Sequence, residues 1–180
     1  MSGAITRIDL AAHPTTTSPA ITSLEVQLAA RAELLDLRYV LHADLARVRV
    51  PESVPAERAD GLWRHTCFEA FLATAGTGYL EFNFSPGGPW AAYRFEGYRQ
   101  GRVPLSLAVA PEIAVRRDAR QLEVHATVQL PDGALADTAR PKLALSAVVE
   151  EDSGRLCYWA ARHAAGPPDF HHPDAFVIEL

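Results

Sequence analysis

The chain has 180 residues, of which 48% are hydrophobic and 22% charged, and its formal net charge is −5. A chain of this length can bury roughly 70% of its unfolded surface in a single domain, so it can fold without covalent or metal cross-links. The negative charge argues against a nucleic-acid partner and against an acidic membrane surface, because both require a basic face.

The N-terminal part of the sequence differs in character from the rest. Residues 11–20, AAHPTTTSPA, are polar and proline-rich and show no hydrophobic periodicity, which is typical of a linker or of a strand-like arm along the surface. We therefore expect residues 1–22 to form an N-terminal arm or linker and residues 23–180 to form a single domain. No 18-residue apolar run predicts a membrane-spanning helix.

Two cysteines, Cys67 and Cys157, are present in the sequence. Residues 1–20 lack the basic start and apolar stretch of a signal peptide. The two thiols are therefore expected to be reduced and buried, and the protein to be cytoplasmic.

Short segments of alternating polarity follow along the chain, and each predicts a β-strand with one buried face. Residues 23–30 and 34–42 form the first predicted pair, although residues 34–37 could instead begin a helix. In segment 63–73, WRHTCFEAFLA, Trp63 and Glu69 have the same parity and are expected on the same face. The later predicted strands are residues 79–85, 90–96, 113–115, 122–130, 142–150, 156–163 and 175–180.

Residues 79–96, YLEFNFSPGGPWAAYRFE, predict a β-hairpin that turns at residues 86–89, PGGP. If Ser85 pairs with Trp90, Glu81 lies opposite Arg94, and Asn83 and Trp90 lie on the same face. A carboxylate, a guanidinium group, an amide and a flat ring are the groups of a sugar-binding site. An ordinary solvated sheet face with one cross-strand ion pair would carry the same groups.

The sequence contains many short predicted strands and no long helical period. Turn signals separate these strands, for example PDG at residues 131–133 and DSG at residues 152–154. This pattern indicates an all-β protein with an antiparallel β-sandwich fold.

Three segments carry a resemblance to a known family. TCFEAF at 66–71, YLEFNFSPGGPWAAYRF at 79–95 and PDFHHPDAFVIEL at 168–180 resemble DOMON-like domains and, more distantly, the family 9 carbohydrate-binding modules. The resemblance covers about residues 24–180. It implies a jelly-roll-like sandwich of two sheets, with a ligand pocket on one face or at the rim.

The resemblance also implies a non-catalytic domain that binds a carbohydrate or a sugar-related small molecule. An aromatic face stacks on the C–H face of a pyranose, while carboxylate, amide and guanidinium groups bond its hydroxyls. A second stacking tryptophan has no clear match, and Trp159 is the candidate. The candidate ligand-binding residues, including Glu81 from the hairpin, are Trp63, Glu69, Glu81, Asn83, Arg94, Trp159 and His171.

Two other interpretations of these residues remain. Trp63 could cap a strand end in the core, with the charges forming a salt-bridged surface. Alternatively, the sandwich could be an interaction or dimerisation module, and thus a homo-oligomer, in which Trp90, Tyr98 and Trp159 cover a partner.

No cofactor is expected. DOMON-like relatives bind haem through methionine and histidine, but the only methionine here is Met1, outside any predicted strand, so haem is the less favoured alternative. A metal site is a weaker alternative still, built from His163, His171 and His172. Adjacent side chains of an extended chain point in opposite directions, and loop histidines usually bond locally.

No catalytic residue is predicted. Glu69 and Glu81 could be drawn as the acid and base of a glycosidase, but the sequence does not give the separation that such a pair needs. The motifs GxSxG, GxGxxG and HExxH and the phosphate-binding P-loop are absent from the sequence.

Overall fold

The strands of this protein pair antiparallel throughout residues 5–31, 33–135 and 140–180, which are the residues that the computed structural model describes. No helix within those ranges is long and apolar enough to cross a membrane. The strands are β1 Thr6–Ala12, β2 Ile21–Arg31, β3 Leu34–Ala43, β4 Cys67–Ala73, β5 Tyr79–Phe84, β6 Trp90–Phe95, β7 Val103–Pro104, β8 Glu112–Arg117, β9 Gln121–Gln129, β10 Lys142–Glu150, β11 Leu156–Ala160 and β12 Ile178–Glu179.

The strands form one curled sheet that folds into two layers. The first layer has the order β8-β9-β3-β2-β1, and the second has the order β1-β11-β10-β4-β5-β6-β7, with β12 beside β10. Strand β1 belongs to both layers, because residues 6–10 pair with β2 and residues 11–12 pair with β11. Part of the segment that we expected to be an arm or linker is therefore a strand of the sheet.

The main core fills the space between the two layers. Alternate residues of β3 and β9 are fully buried there, as the alternation predicts. Tyr39 on β3 spans the gap, since its ring lies 5.1 Å from that of Phe68 and its hydroxyl donates a hydrogen bond of 2.8 Å to the Glu69 carbonyl. The predicted all-β antiparallel sandwich is thus confirmed.

The predicted register of the hairpin is wrong by one residue. Phe84, not Ser85, pairs with Trp90, so Leu80 lies opposite Arg94 and Glu81 lies opposite Tyr93. The turn is longer than expected, because the Ser85 N–H donates to the Pro89 carbonyl at 2.9 Å. A Cβ on Gly87 would approach the Glu52 carbonyl to 2.5 Å, so the neighbouring chain also constrains this turn.

Two predicted strands begin later than expected, because a 3₁₀ turn precedes each of them. In segment 63–73, Leu62–Arg64 is a 3₁₀ turn, and the strand begins only at Cys67. At the C-terminus, Pro173–Ala175 is a second 3₁₀ turn that precedes the short β12.

The outer face of the second layer is also largely covered. Aromatic side chains of β4, β5 and β6 form a second apolar cluster, over which the C-terminal segment 161–177 packs with Phe170 and Phe176. Both faces of these strands are therefore buried, and every residue of β5 is buried. The candidate site lies where this cover is incomplete.

Candidate functional site

A cavity of about 400 Å³ opens on the outer face of the second layer. Its floor carries Glu69 from β4 and Glu81 from β5. Both residues are buried although they carry carboxyl groups, since Glu69 is only 3% exposed and Glu81 only 4% exposed. Their burial follows from strand parity, because both point to the outer face that the C-terminal segment covers.

Two further polar residues complete the floor. Glu69 on β4 pairs with Asn83 on β5, which lies on one side of β4, and with Ser146 on β10, which lies on the other side. The three side chains therefore lie on the same face of the sheet. The Asn83 amide donates a hydrogen bond of 2.7 Å to Glu81 Oε1. We call Glu69, Glu81, Asn83 and Ser146 the polar floor.

Several buried atoms of the polar floor lack a hydrogen-bond partner. Glu69 Oε1, Asn83 Oδ1 and Ser146 Oγ are inaccessible and unpaired within the part of the chain that the structure describes. An unsatisfied buried polar group costs about 1–3 kcal/mol, and more if it is charged. The three atoms lie beneath the surface of the cavity, since they are inaccessible and only Glu69 of the three residues lines it.

Burial changes the protonation of the floor. It raises the pKa of Glu69 well above its ordinary value, and the nearby Glu81 carboxylate raises it further. Burial also raises the pKa of Glu81, although the Asn83 hydrogen bond and the positive charge of Arg102 oppose this shift. The two carboxyl groups therefore hold a proton to higher pH than exposed carboxyl groups do.

One wall of the cavity is built around the half-buried Trp63. Its 3₁₀ turn starts at Gly61, whose left-handed backbone (φ 79) suits glycine. The ring meets that of Tyr93 edge-on at 6.1 Å. The guanidinium group of Arg102 lies 5.7 Å from the Trp63 ring and 5.3 Å from the Tyr93 ring, within cation–π range of both.

The opposite wall joins the loop at residues 97–102 to the C-terminal segment. Arg99 forms an ion pair of 2.8 Å with Asp169, and the Tyr98 hydroxyl donates a hydrogen bond to the same carboxylate. Arg99 has a left-handed backbone (φ 55), and its N–H donates to the Tyr79 hydroxyl at 3.2 Å. These contacts place Pro168 and the neighbouring residues at the cavity edge.

His171 lies between this wall and the floor. Its Nδ1 is 2.8 Å from the Tyr79 hydroxyl, and its Nε2 is 4.0 Å from Glu81 Oε2. Burial, with the positive charge of Arg99 nearby, lowers the pKa of His171 to about 4. The imidazole is therefore neutral near neutral pH.

The structure brings together most of the residues that the sequence singles out. Trp63, Glu69, Glu81 and His171 line the cavity, and Asn83 bonds to Glu81 from beneath. Trp63 reaches the cavity from a turn, not from the strand that we predicted.

Arg94 and Trp159 do not line this cavity, so the structure does not bring these two predicted residues together with the other five. The one-residue shift of the hairpin turns Arg94 to the opposite face, where it is exposed opposite Leu80. Trp159 points into the core between the layers, and its neighbour Tyr158 faces the cavity instead.

Sequence reasoning missed seven lining residues of the cavity, which include Val148 on β10 and Pro168 in the covering segment. Phe95 follows from the corrected hairpin register, and Tyr158 follows from the parity of β11 once its core face is known. Arg99 and Arg102 lie in a loop without periodicity, so only their position just after the hairpin could have suggested them. Phe170 also belongs to the covering segment.

The histidines proposed as an alternative metal site lie apart and have separate partners. His163 bonds to the Ala11 carbonyl at 2.8 Å, and His172 accepts from the Asp174 N–H at 3.2 Å. Over residues 5–31, 33–135 and 140–180, no group of three or more histidine, cysteine, aspartate or glutamate side chains could hold a metal ion. The described residues therefore give no support to a metal site built from His163, His171 and His172.

The aromatic patch suggested for a protein partner is contradicted. Trp90 and Trp159 are 9% and 7% exposed and belong to the main core, which leaves Tyr98 alone at the surface with 45% exposure.

The curled sandwich and its surface cavity define the class of fold. The chain has the antiparallel β-sandwich fold that is also seen in a family 9 carbohydrate-binding module, and this confirms the fold that the distant resemblance implies. The likeness to DOMON-like domains stays a prediction.

Three solved structures are similar to this chain in fold. A candidate carbohydrate-binding protein from Bacteroides uniformis is 14% identical with a TM-score of 0.68, over 97% of this chain and 84% of that chain. A family 9 module from Caldicellulosiruptor kristjanssonii in complex with cellotriose is 10% identical with a TM-score of 0.52, over 88% and 75%. Its complex with glucose gives 11%, 0.50, 84% and 72%.

Neither a protein-family model nor a curated protein matches the sequence. At the identities above, the structural likeness establishes the fold alone.

Proposed function

We propose that this protein is a non-catalytic carbohydrate-binding domain whose ligand occupies the cavity above the polar floor. The observation that carries this proposal is the cavity in which the carboxyl groups of Glu69 and Glu81 lie beside the aromatic wall of Trp63. Sugar hydroxyls donate hydrogen bonds to such acceptors, and an aromatic ring packs on the apolar face of a pyranose. The cavity volume of about 400 Å³ lies in the range of small-molecule sites.

Each part of the cavity has a role in this proposal. Glu69 and Glu81 accept hydrogen bonds from ligand hydroxyls, and Trp63 offers the stacking surface. Arg102 reaches the cavity from the loop and can donate to a ring or hydroxyl oxygen. Solved structures of the same fold hold cellotriose and glucose, which supports a sugar as the ligand.

The proposal is tested by the shift in melting temperature of the purified protein with a panel of mono- and oligosaccharides. A ligand at 100 times its Kd stabilises a protein by about 2.7 kcal/mol. For a domain of this size, this corresponds to a rise of roughly 5–10 °C. We expect one class of sugar to give such a shift.

Three variants connect that shift to the cavity. We expect Trp63→Ala and Arg102→Ala to weaken binding by about 5- to 30-fold, because each removes a contact worth roughly 1–2 kcal/mol. Arg94→Ala is the matched control, since Arg94 is exposed on the opposite face of the same layer. A well-folded protein with no shift across the panel, or a shift that Trp63→Ala and Arg102→Ala leave unchanged, would contradict the proposal.

A further inference from the structure

The two carboxylates of the floor are placed to share one small group of a ligand. Glu69 pairs with Asn83, and Glu81 lies two residues from Asn83 on the same strand. The two glutamates are therefore diagonal neighbours on one face, a position in which Cα atoms are roughly 7–8 Å apart and long side chains can meet. Both residues line the same cavity.

The free atoms of the floor are mainly acceptors. A carboxylate only accepts hydrogen bonds, so the Asn83 contact with Glu81 must use the amide N–H and leaves Asn83 Oδ1 as an acceptor. Glu69 Oε1 and Asn83 Oδ1 lie beneath the cavity surface, but the carboxyl groups of Glu69 and Glu81 line the cavity, and among the described residues only Asn83 donates a hydrogen bond to them. A complementary ligand group must therefore bring several donors.

Within the described residues, no arginine forms an ion pair with these carboxyl groups, although the charges of Arg102 and Arg99 favour the ionised form of Glu81 from a distance. Arg99 is ion-paired with Asp169, and Arg102 lies over the rings of Trp63 and Tyr93. His171 is 4.0 Å from Glu81 and has a pKa of about 4, so it carries no charge near neutral pH. The floor is thus acidic, buried and without a charged partner inside the described ranges of the chain.

We propose that the ligand of this cavity carries a protonated amino group, as an amino sugar does, and that this group lies between Glu69 and Glu81. An ammonium group supplies three donors and one positive charge, which match the acceptors and the charge of the floor. A neutral hydroxyl would supply one donor and leave the carboxylates uncompensated. This inference rests on the proposed function and narrows it to a class of sugar.

The test compares matched sugars by isothermal titration in phosphate buffer, which contains no competing amine. In the glucose and galactose series, the neutral sugar, the amino sugar and the N-acetylated amino sugar share one ring and differ at one substituent. We expect the amino sugar of one series to bind the wild-type protein about tenfold or more tightly than its two neutral counterparts, as a charged hydrogen bond would provide.

Two variants test whether Glu69 and Glu81 cause the preference for the amino sugar. Glu69→Gln and Glu81→Gln keep the size of each side chain, and each should reduce the preference for the amine by about tenfold while neutral sugars still bind. Arg94→Ala should leave the preference unchanged. The melting temperature of each variant without ligand shows that it is folded, and the wild-type comparison is informative without any variant.

The outcomes separate this inference from the proposed function. Neutral or N-acetylated sugars that bind as tightly as the amino sugar would overturn the amine while leaving a carbohydrate-binding domain. Stabilisation by calcium chloride that Glu69→Gln abolishes would also overturn it, because the carboxylates would then hold a metal ion. Absence of binding by every sugar would overturn both.

Discussion

The carboxyl group of Glu69 lies in a buried environment, where its charged form is energetically unfavourable. Its residue is 3% exposed, one of its oxygens has no partner in the described part of the chain, and its neighbour on the floor is a second carboxyl group. Burial therefore raises the pKa of Glu69 in the folded state above its value in the unfolded chain. Such sites are stable only because the surrounding sheet fixes them, and they are frequent where a ligand binds.

The raised pKa makes stability depend on pH in a defined direction. Between the unfolded and folded pKa values the native state holds more protons, so the free energy of unfolding falls as the pH rises through that window. Each pKa unit of elevation corresponds to about 1.4 kcal/mol. We expect Glu69→Gln, which removes this titration, to melt above the wild-type protein, by a margin that widens as the pH increases from the ordinary value of 4.5.

Melting curves of both proteins, recorded from about pH 4 to about pH 8, check this expectation. Glu112→Gln is the control, because Glu112 is an exposed carboxyl group on β8. The loss of Glu69 also relieves Glu81, so the change in slope reports the coupled pair. Melting temperatures of wild type and Glu69→Gln that stay a constant distance apart would contradict a raised pKa in the folded state.

At the scale of elements, the loop at residues 97–102 and the C-terminal segment hold each other through one carboxylate. The Asp169 carboxylate forms an ion pair of 2.8 Å with Arg99. It also accepts hydrogen bonds from the Tyr98 hydroxyl and, at 3.0 Å, from the His171 N–H. The Arg99 side chain is 53% exposed, so the ion pair contributes less than about 1 kcal/mol to global stability. Its main effect is local, on the wall of the cavity.

We therefore expect Asp169→Asn to loosen the wall without unfolding the sheet. Hydrogen exchange should become faster in residues 97–102 and 168–172, while β4 and β5 keep their protection, because local opening does not require global unfolding. Asp174→Asn is the matched control, since Asp174 lies in the same segment and contacts His172, not the loop. Equal exchange in the two variants would show that Asp169 does not tie the wall.

Strand parity explains how much of this arrangement the sequence could predict. On β3 and β9 one face is apolar and the other polar, so the core residues were assigned correctly. On β11 both faces carry large apolar groups, because the C-terminal segment covers the outer face. Parity then separates Tyr158 from Trp159 but cannot say which of them enters the core.

The register of the hairpin depends on contacts that no local pattern contains. The chain at residues 51–54 approaches Gly87 and Gly88, and this packing favours a turn in which Ser85 bonds to Pro89. A shift of one residue moves every side chain of a strand to the other face. This shift is why Glu81 lines the cavity while Arg94 does not.

At the scale of the whole molecule, β1 joins the two layers. It lies between β2 and β11 and pairs with each of them in turn. Its Leu10 is buried in the main core. Without β1, both of those strands would expose unpaired edges, which promote aggregation, and Tyr158 on β11 would lose a neighbouring strand beside the cavity.

A chain that begins at residue 13 should therefore be much less stable than a chain that begins at residue 5. The shorter chain loses the burial of Leu10 and the hydrogen bonds of β1, which together are worth at least about 3 kcal/mol. For a domain of this size the melting temperature should fall by roughly 6 °C or more, with more aggregation on heating. Thermal unfolding and light scattering of the two chains measure this difference. If β1 were only an arm on the surface, the two chains would melt together and remain equally soluble, since no layer would depend on it.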